Sequence, residues 1–326
     1  MSRPTVIVTR KLPASVENEI ASRYDAKLNV NDVAMTAAQL KDAMGYADAM
    51  LCTVTDKITD EVFAASKRRV KIVANFGVGV NHINREAAKA AGIVVTNTPD
   101  VLTDDTADIA LALILMTMRR LGEGERHVRS GAWSGWRPTH MMGQSSRGKT
   151  IGIVGYGRIG RAVANRAALA LGMKVIWYAP RDPAAYDADT AGPADARRVG
   201  SLEELLRESD VVSLHCPSTP ETHHLINTER LMMMKSTAVL INTARGDVVD
   251  EYALAQALRD QVISGAGLDV YEFEPAVIPD LRELERVVLL PHLGSNGVET
   301  RLAMGNMALA NLDAFFAGQE PPNRVV

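Results

Sequence analysis

Short apolar, β-branched runs recur along the chain and alternate with stretches of helical periodicity. The runs fall at residues 5–9, 50–54, 70–74, 93–96, 150–154, 174–177, 211–214, 238–242, 263–268 and 287–290. Within each run the apolar residues are nearly continuous rather than alternating, which marks strands buried on both faces. Helices between successive strands supply that cover, so the pattern predicts an α/β fold with doubly wound parallel sheets. A long helical segment, 297–317, follows the last strand. The segment 183–200, rich in Ala, Asp and Pro, reads as a solvated loop.

Residues 150–160, TIGIVGYGRIG, run from a strand into Gly155-x-Gly157-x-x-Gly160 and on into a helix over 161–171. The first glycine makes the tight turn, the second lets the backbone approach a pyrophosphate, and the third lets the helix pack on the strand. The helix N-terminus then favours the phosphates. Strand before and helix after are the context that raises this motif above a chance match. Arg158 and Ile159, inside the motif, count with the glycines as cofactor contacts. The motif sits mid-chain, so the expectation is two doubly wound domains with a ligand cleft between them. Residues 1–100 plus 292–326 form a flavodoxin-like substrate domain, and residues 101–291 a Rossmann dinucleotide-binding domain, with crossings near Pro99 and Pro291.

Composition narrows the class. A chain of 326 residues suits two domains at about 150 residues each. Hydrophobic residues make up 47% and charged residues 23%, as in soluble globular proteins. Lys and Arg number 36 against 39 Asp and Glu, a net charge of −3, which argues against a nucleic-acid-binding face. The two cysteines, Cys52 and Cys216, give neither metal spacing nor a disulfide framework. The apolar run at 6–8 is too short for a signal-peptide core. The longest apolar stretch, 109–118, is about half of a membrane span. Asp104, Asp105 and Asp108 open it and Arg119 and Arg120 close it, which suits the dipole of a buried soluble helix. The expected location is the cytoplasm. His223 and His224 form a pair without a third ligand at metal spacing, so they read as loop residues and no metal is expected.

The strand at 174–177 leads to the position that reads the adenosine ribose, where NAD-binding chains place an acidic residue about 20 residues past the motif. Here that position is Ala179, followed by Pro180 and Arg181. An arginine attracts a 2′-phosphate, so NADP(H) is favoured over NAD(H). Asp182 is a competing candidate that could bind the ribose.

Three further segments end predicted strands: INTARG with Arg245, GLDVYEFEP with Asp269 and Glu274, and LPHLGS with His292. Open α/β sheets bind ligands at those strand ends. Reducing a 2-oxo acid needs a cation for the carboxylate, a proton donor for the carbonyl oxygen, and a partner that keeps the donor charged. Arg245 supplies a planar fork for carboxylate. His292 exchanges a proton near neutral pH. A carboxylate at Glu274 favours the charged imidazole, and a nicotinamide supplies the hydride. Each residue alone is more often a surface charge or a turn residue. Their shared position on strand ends beyond the dinucleotide motif is what lifts them.

Through VGYGRIG (154–160), LHCPSTPET (214–222), INTARGDVVDEYAL (241–254), GLDVYEFEP (267–275) and LPHLGS (290–295), the chain resembles the D-isomer-specific 2-hydroxyacid dehydrogenase family over essentially its whole length, most of all its glyoxylate/hydroxypyruvate reductase branch. The resemblance implies that Arg245 binds carboxylate, His292 is the general acid and Glu274 orients it. It implies cofactor contacts at Cys216, Pro217, Thr222, Thr243, Ala244, Arg245, Asp269, His292 and Gly294, with Asp269 on the nicotinamide amide and Thr106 a weaker candidate. It also implies a substrate-carboxylate loop at 75–79, NFGVG, where the amides of Val78 and Gly79 cradle the anion. Just beyond, Asn81 stands where the family commonly has Asp. Leu51, in LCTV, is expected to wall the substrate. Trp136, in a WxxWxP segment, could reach a partner subunit's cleft, and a homodimer built on the apolar helix 107–118 is implied. The expected reaction is reduction of a small 2-oxo acid, glyoxylate or hydroxypyruvate, to the D-2-hydroxy acid. The alternatives are a dehydrogenase for a bulkier acid (D-lactate, D-glycerate or a branched 2-oxo acid) and a nucleotide-sensing, corepressor-like binding protein.

Overall fold

The structure, a computed structural model, describes residues 3–181 and 192–326. It divides into two compact units, Met1–Leu102 with Asn296–Val326, and Thr103–Ser295. The second crossing therefore falls after Ser295 rather than before His292, so His292 shares a unit with Arg245 and Glu274. The reason is local: the amides that follow His292 are bound to Asp269 of the same unit.

In the first unit the order is β1 (Thr5–Val8), α1 (Ala14–Arg23), β2 (Asp25–Lys27), α2 (Ala37–Tyr46), β3 (Ala49–Thr53), α3 (Asp60–Phe63), β4 (Ile72–Phe76), α4 (Arg85–Ala90) and β5 (Val94–Thr96). All five strands are parallel, in the order β2-β1-β3-β4-β5, which is the flavodoxin-like arrangement. Alternate residues of each strand feed opposite faces. Ile7, Met50, Val73 and Val95 join Leu40, Ala43 and Met44 of α2 on one side. The other side is covered by α1 and by the C-terminal helix (Val298–Phe316), which returns to this unit and buries Met304, Ala308, Leu309 and Leu312.

The second unit opens with α5 (Thr103–Met118) and α6 (Leu121–Arg129). It continues through β6 (Thr150–Val154), α7 (Arg158–Leu171), β7 (Lys174–Tyr178), β8 (Arg197–Arg198), α8 (Leu202–Glu208), β9 (Val211–Leu214), α9 (Thr228–Met232), β10 (Val239–Asn242), α10 (Glu251–Arg259), β11 (Gly265–Leu268), α11 (Pro279–Arg282) and β12 (Val287–Leu289). The helix Val298–Phe316 is accordingly α12. The seven strands are parallel in the order β12-β11-β10-β9-β6-β7-β8, a Rossmann sheet with one added strand. Ile151, Ile153, Val211, Val239 and Ile241 face α5 and α7. Val154, Val212, Leu214 and Leu240 face the other layer. Arg166 of α7 pairs with Asp104 and Asp108 of α5, so the apolar stretch belongs to a helix tied to its neighbour. Among the described residues no helix is long and apolar enough to cross a membrane.

Two elements differ from expectation. Asp25–Lys27 and Arg197–Arg198 are edge strands, and the latter corrects part of the segment taken as loop. Polar side chains are what an edge tolerates, so neither carries an apolar run. Asp182 and most of the remaining segment lie outside the described residues.

Candidate active site

The dinucleotide motif sits where the sheet order reverses, between β6 and β9. Gly155 has a φ of +90°, and a Cβ there would stand 2.7 Å from the Cys216 amide nitrogen. A Cβ on Gly160 would lie 2.2 Å from the Gly155 carbonyl oxygen, so α7 can approach β6 only with glycine there. A Cβ on Gly157, in contrast, would meet nothing within 4 Å. No side chain caps α7 at Gly157, the residue that leads into Arg158 and Ile159 of its first turn. The Thr243 hydroxyl is buried without a hydrogen-bond partner. These features fit a dinucleotide whose phosphates lie across the helix N-terminus.

The remaining cofactor candidates carry structural bonds. The Thr222 hydroxyl donates to the Pro217 carbonyl at 2.6 Å and accepts the Thr219 amide at 2.8 Å. Burial pushes the Cys216 thiol up to about 12, so it stays neutral. The Ala244 amide donates to the Asn242 side chain at 3.0 Å, and that side chain donates to the Arg245 carbonyl at 2.8 Å. Asn242 thus shapes the turn that presents Arg245. Ala179 is buried, and its carbonyl accepts from Arg198 at 3.2 Å, whose guanidinium lies over the Trp177 ring at 5.2 Å. Arg198 is a second cation beside the position expected to read the ribose, and sequence reasoning missed it because it arrives from β8. Arg181 is exposed.

His292 Nδ1 lies 2.9 Å from Glu274 Oε2. The other carboxylate oxygen, Oε1, accepts the Tyr271 amide at 2.9 Å. Burial works to raise the Glu274 pKa, but the hydrogen bond and charge of His292, the Tyr271 amide and the charge of Arg245 outweigh it, and the carboxyl is lowered. Both side chains keep about a third of their surface exposed, 32% for His292 and 33% for Glu274. Arg245 is partly buried; burial lowers its pKa, opposed by the charges of Glu274 and Asp247. Arginine stays a cation regardless. The site therefore joins a cation, an acid–base group and its carboxylate partner.

Asp269 builds the support. His292 has a φ of +56°, a region that few non-glycine residues adopt. Its amide donates to the Asp269 carbonyl at 2.9 Å. The next two amides, Leu293 and Gly294, donate to the two Asp269 carboxylate oxygens at 2.7 Å each. Burial, opposed by those amides and His292, raises the Asp269 carboxyl. The Thr106 hydroxyl donates to the Gly294 carbonyl at 2.7 Å. Asp269, Gly294 and Thr106 therefore hold the turn that carries His292.

Sequence reasoning also passed over Gly246 and Glu251. A Cβ on Gly246 would stand 1.8 Å from the Tyr271 carbonyl carbon, so only glycine lets the Arg245 turn abut the 271–275 loop. Glu251 is 2% exposed, accepts the Glu272 amide at 2.8 Å, and has its carboxyl raised by burial.

In the first unit, Asn75 is fully buried and its amide donates to the carbonyls of Gly77 and Gly79 at 2.9 and 3.0 Å. Asn97 donates to the Val78 carbonyl at 2.9 Å. In a trans peptide the next N–H points opposite to the held carbonyl, so the amides of Val78 and Gly79 face away from these anchors. The expectation that Leu51 walls the substrate fails for its side chain. Leu51 lies inside β3, is 0% exposed and belongs to the core. Val54 instead borders the loop, its Cγ1 being 3.1 Å from where a Gly77 Cβ would be. Trp136, in the second unit, is 81% exposed.

Known proteins resemble this chain along nearly its whole length. The family model described as D-isomer specific 2-hydroxyacid dehydrogenase, NAD binding domain, matches residues 111–294. The glyoxylate reductase of Thermococcus litoralis is 44% identical over 99% of this chain and 97% of its own. A Thermus thermophilus protein of solved structure shares 45% identity and a TM-score of 0.88 over 99% of this chain and 100% of its own. The NADPH-dependent glyoxylate/hydroxypyruvate reductase of Sinorhizobium meliloti, solved with NADP and malonate, shares 34% identity and a TM-score of 0.87 over 100% of this chain and 97% of its own. The chain belongs to the D-isomer-specific 2-hydroxyacid dehydrogenase family.

Proposed function

We propose that this protein reduces a small 2-oxo acid, glyoxylate or hydroxypyruvate, to the D-2-hydroxy acid with NADPH. The observation that carries the reading is the 2.9 Å contact of His292 Nδ1 with Glu274 Oε2, beside the cation of Arg245. The reduced nicotinamide supplies the hydride when bound. Nδ1 is engaged by Glu274, so Nε2 is the nitrogen that hands its proton to the substrate carbonyl oxygen. Glu274 remains a carboxylate while it does so, because its pKa is held down. Arg245 grips the substrate carboxylate through its fork. Val78 and Gly79 are a further pair of amides suited to a carboxylate. The names of the Thermococcus and Sinorhizobium relatives support the substrate class.

NADPH over NADH rests on Ala179 in place of an acid, on Arg181, and on Arg198 at the Ala179 carbonyl. A homodimer is supported by the exposed apolar side chains Leu121, Val128, Trp133, Trp136 and Met142, which follow one another along α6 and the segment after it.

The test is steady-state reduction of both acids with NADPH and NADH. Turnover with NADPH, lost by about 100-fold or more in His292→Ala, is the expected result. Arg181→Ala should cost roughly tenfold in kcat/KM with NADPH alone, the size of one charge-assisted hydrogen bond. Turnover of neither acid, with cofactor binding intact, would overturn the substrate class.

A further inference from the structure

The reduction proposed above makes no use of His223, His224 or Glu272. The sequence offers the two histidines no third ligand, but the fold brings one from 48 residues away. His224 Nε2 lies 2.9 Å from Glu272 Oε1. The rings of His223 and His224 stack with centroids 4.1 Å apart and 27° between planes. One donor atom from each residue can be chosen so that all three lie within 4.8 Å of one another.

Neighbouring residues of an extended chain send their side chains to opposite faces. Here a φ of +48° at His224, rare outside glycine, turns both imidazoles to one side. Its amide is held by the Asp247 carbonyl at 2.8 Å, and that of Ile226 by the Val248 carbonyl at 3.0 Å. Glu272 is fixed on the opposing loop by the hydrogen bond that its amide donates to the Glu251 carboxylate. His223 is exposed, and the side chains of His224 and Glu272 are 34% and 14% exposed, so an ion from solvent would meet the imidazoles first.

We propose that His223, His224 and Glu272 bind a divalent transition-metal ion of the zinc, cobalt or nickel class. Two imidazoles and one carboxylate suit these ions, whereas calcium and magnesium take all-oxygen sets. Ligands at about 2.0–2.2 Å around a tetrahedral ion lie about 3.4 Å apart, so the His224–Glu272 pair at 2.9 Å opens slightly while any pair nearer the 4.8 Å limit closes inward. Three protein ligands leave a coordination position for water. The ion ties the segment holding His223 to the loop that carries Glu274, two residues beyond Glu272, without touching Arg245 or His292.

Binding is read without turnover, so its outcome is separate from that of the proposed reaction. Untagged, metal-stripped protein is titrated with Co2+, following visible d–d absorption and equilibrium dialysis. One saturable ion per chain is expected, weakened tenfold or more by His223→Ala and by Glu272→Gln. His140→Ala, which removes the other imidazole pair at 5.1 Å, should leave binding unchanged. A Co2+-dependent rise in unfolding temperature should follow the same ranking and shows that each variant is folded. No saturable binding up to millimolar Co2+, binding that survives His223→Ala, or binding lost in His140→Ala would each overturn the proposal.

Discussion

Glu274 keeps its charge although burial opposes it, because His292, the Tyr271 amide and Arg245 together outweigh desolvation. The sign follows. A carboxyl lowered in the folded state adds stability above its ordinary value of 4.5, and that stability is lost as pH falls through the lowered value. Across neutral pH the carboxylate charge is therefore constant. Glu274→Gln removes the anion but keeps an oxygen able to accept from Nδ1. Loss of that charge should cost about tenfold or more in kcat/KM at neutral pH. An unchanged kcat/KM would mean that the Glu274 charge contributes nothing to the proton transfer. The cluster of Arg245, Glu274 and His292 was legible because each lies in a distinctive run just past the end of a strand. Gly246 and Glu251 were not, because what they do depends on a backbone approach of 1.8 Å and a bond of 2.8 Å between segments distant in sequence.

At the level of elements, the ten apolar runs all became strands, and β6 and β9 kept their predicted bounds. The start of β11 shifted to Gly265, because Ile263 is buried in the connection rather than the sheet. The edge strands β2 and β8 escaped notice because an edge needs no apolar face. The loop after β4 shows how a buried polar residue can shape a site that pattern alone locates. Asn75 spends both amide hydrogens on the Gly77 and Gly79 carbonyls, and its oxygen meets His82 at 3.1 Å. Asn75→Ala frees those carbonyls and the direction of the Val78 and Gly79 amides. If these amides hold the carboxylate, KM for the 2-oxo acid should rise about tenfold, as for the loss of one or two hydrogen bonds to a charge, while KM for the cofactor stays put. An unchanged substrate KM in a folded Asn75→Ala protein would remove this loop from carboxylate recognition.

For the molecule as a whole, the run of strands and helices foretold two doubly wound sheets, while the strand orders came only with the flavodoxin-like and Rossmann expectations. Order depends on which strands pair across long connections, and hydrophobic periodicity carries no such information. The chain does divide its reporters unevenly. All three tryptophans, Trp133, Trp136 and Trp177, lie in the unit Thr103–Ser295, and Trp177 stacks on Tyr156 of the dinucleotide turn at 4.4 Å. Tryptophan fluorescence therefore follows the unfolding of the unit assigned to the cofactor, whereas far-ultraviolet circular dichroism follows both. A ligand that binds only the folded state stabilises it by about 2.7 kcal/mol at 100 times its Kd. NADP+ should raise the urea midpoint seen by fluorescence at concentrations where NAD+ does not, and Arg181→Ala should erase the difference. Equal shifts with both nucleotides would remove the preference and leave the dinucleotide site standing. No shift with either would place the cofactor outside the unit that carries Gly155, Gly157 and Gly160, and the assignment of His292 as its proton-donating partner would fall with it.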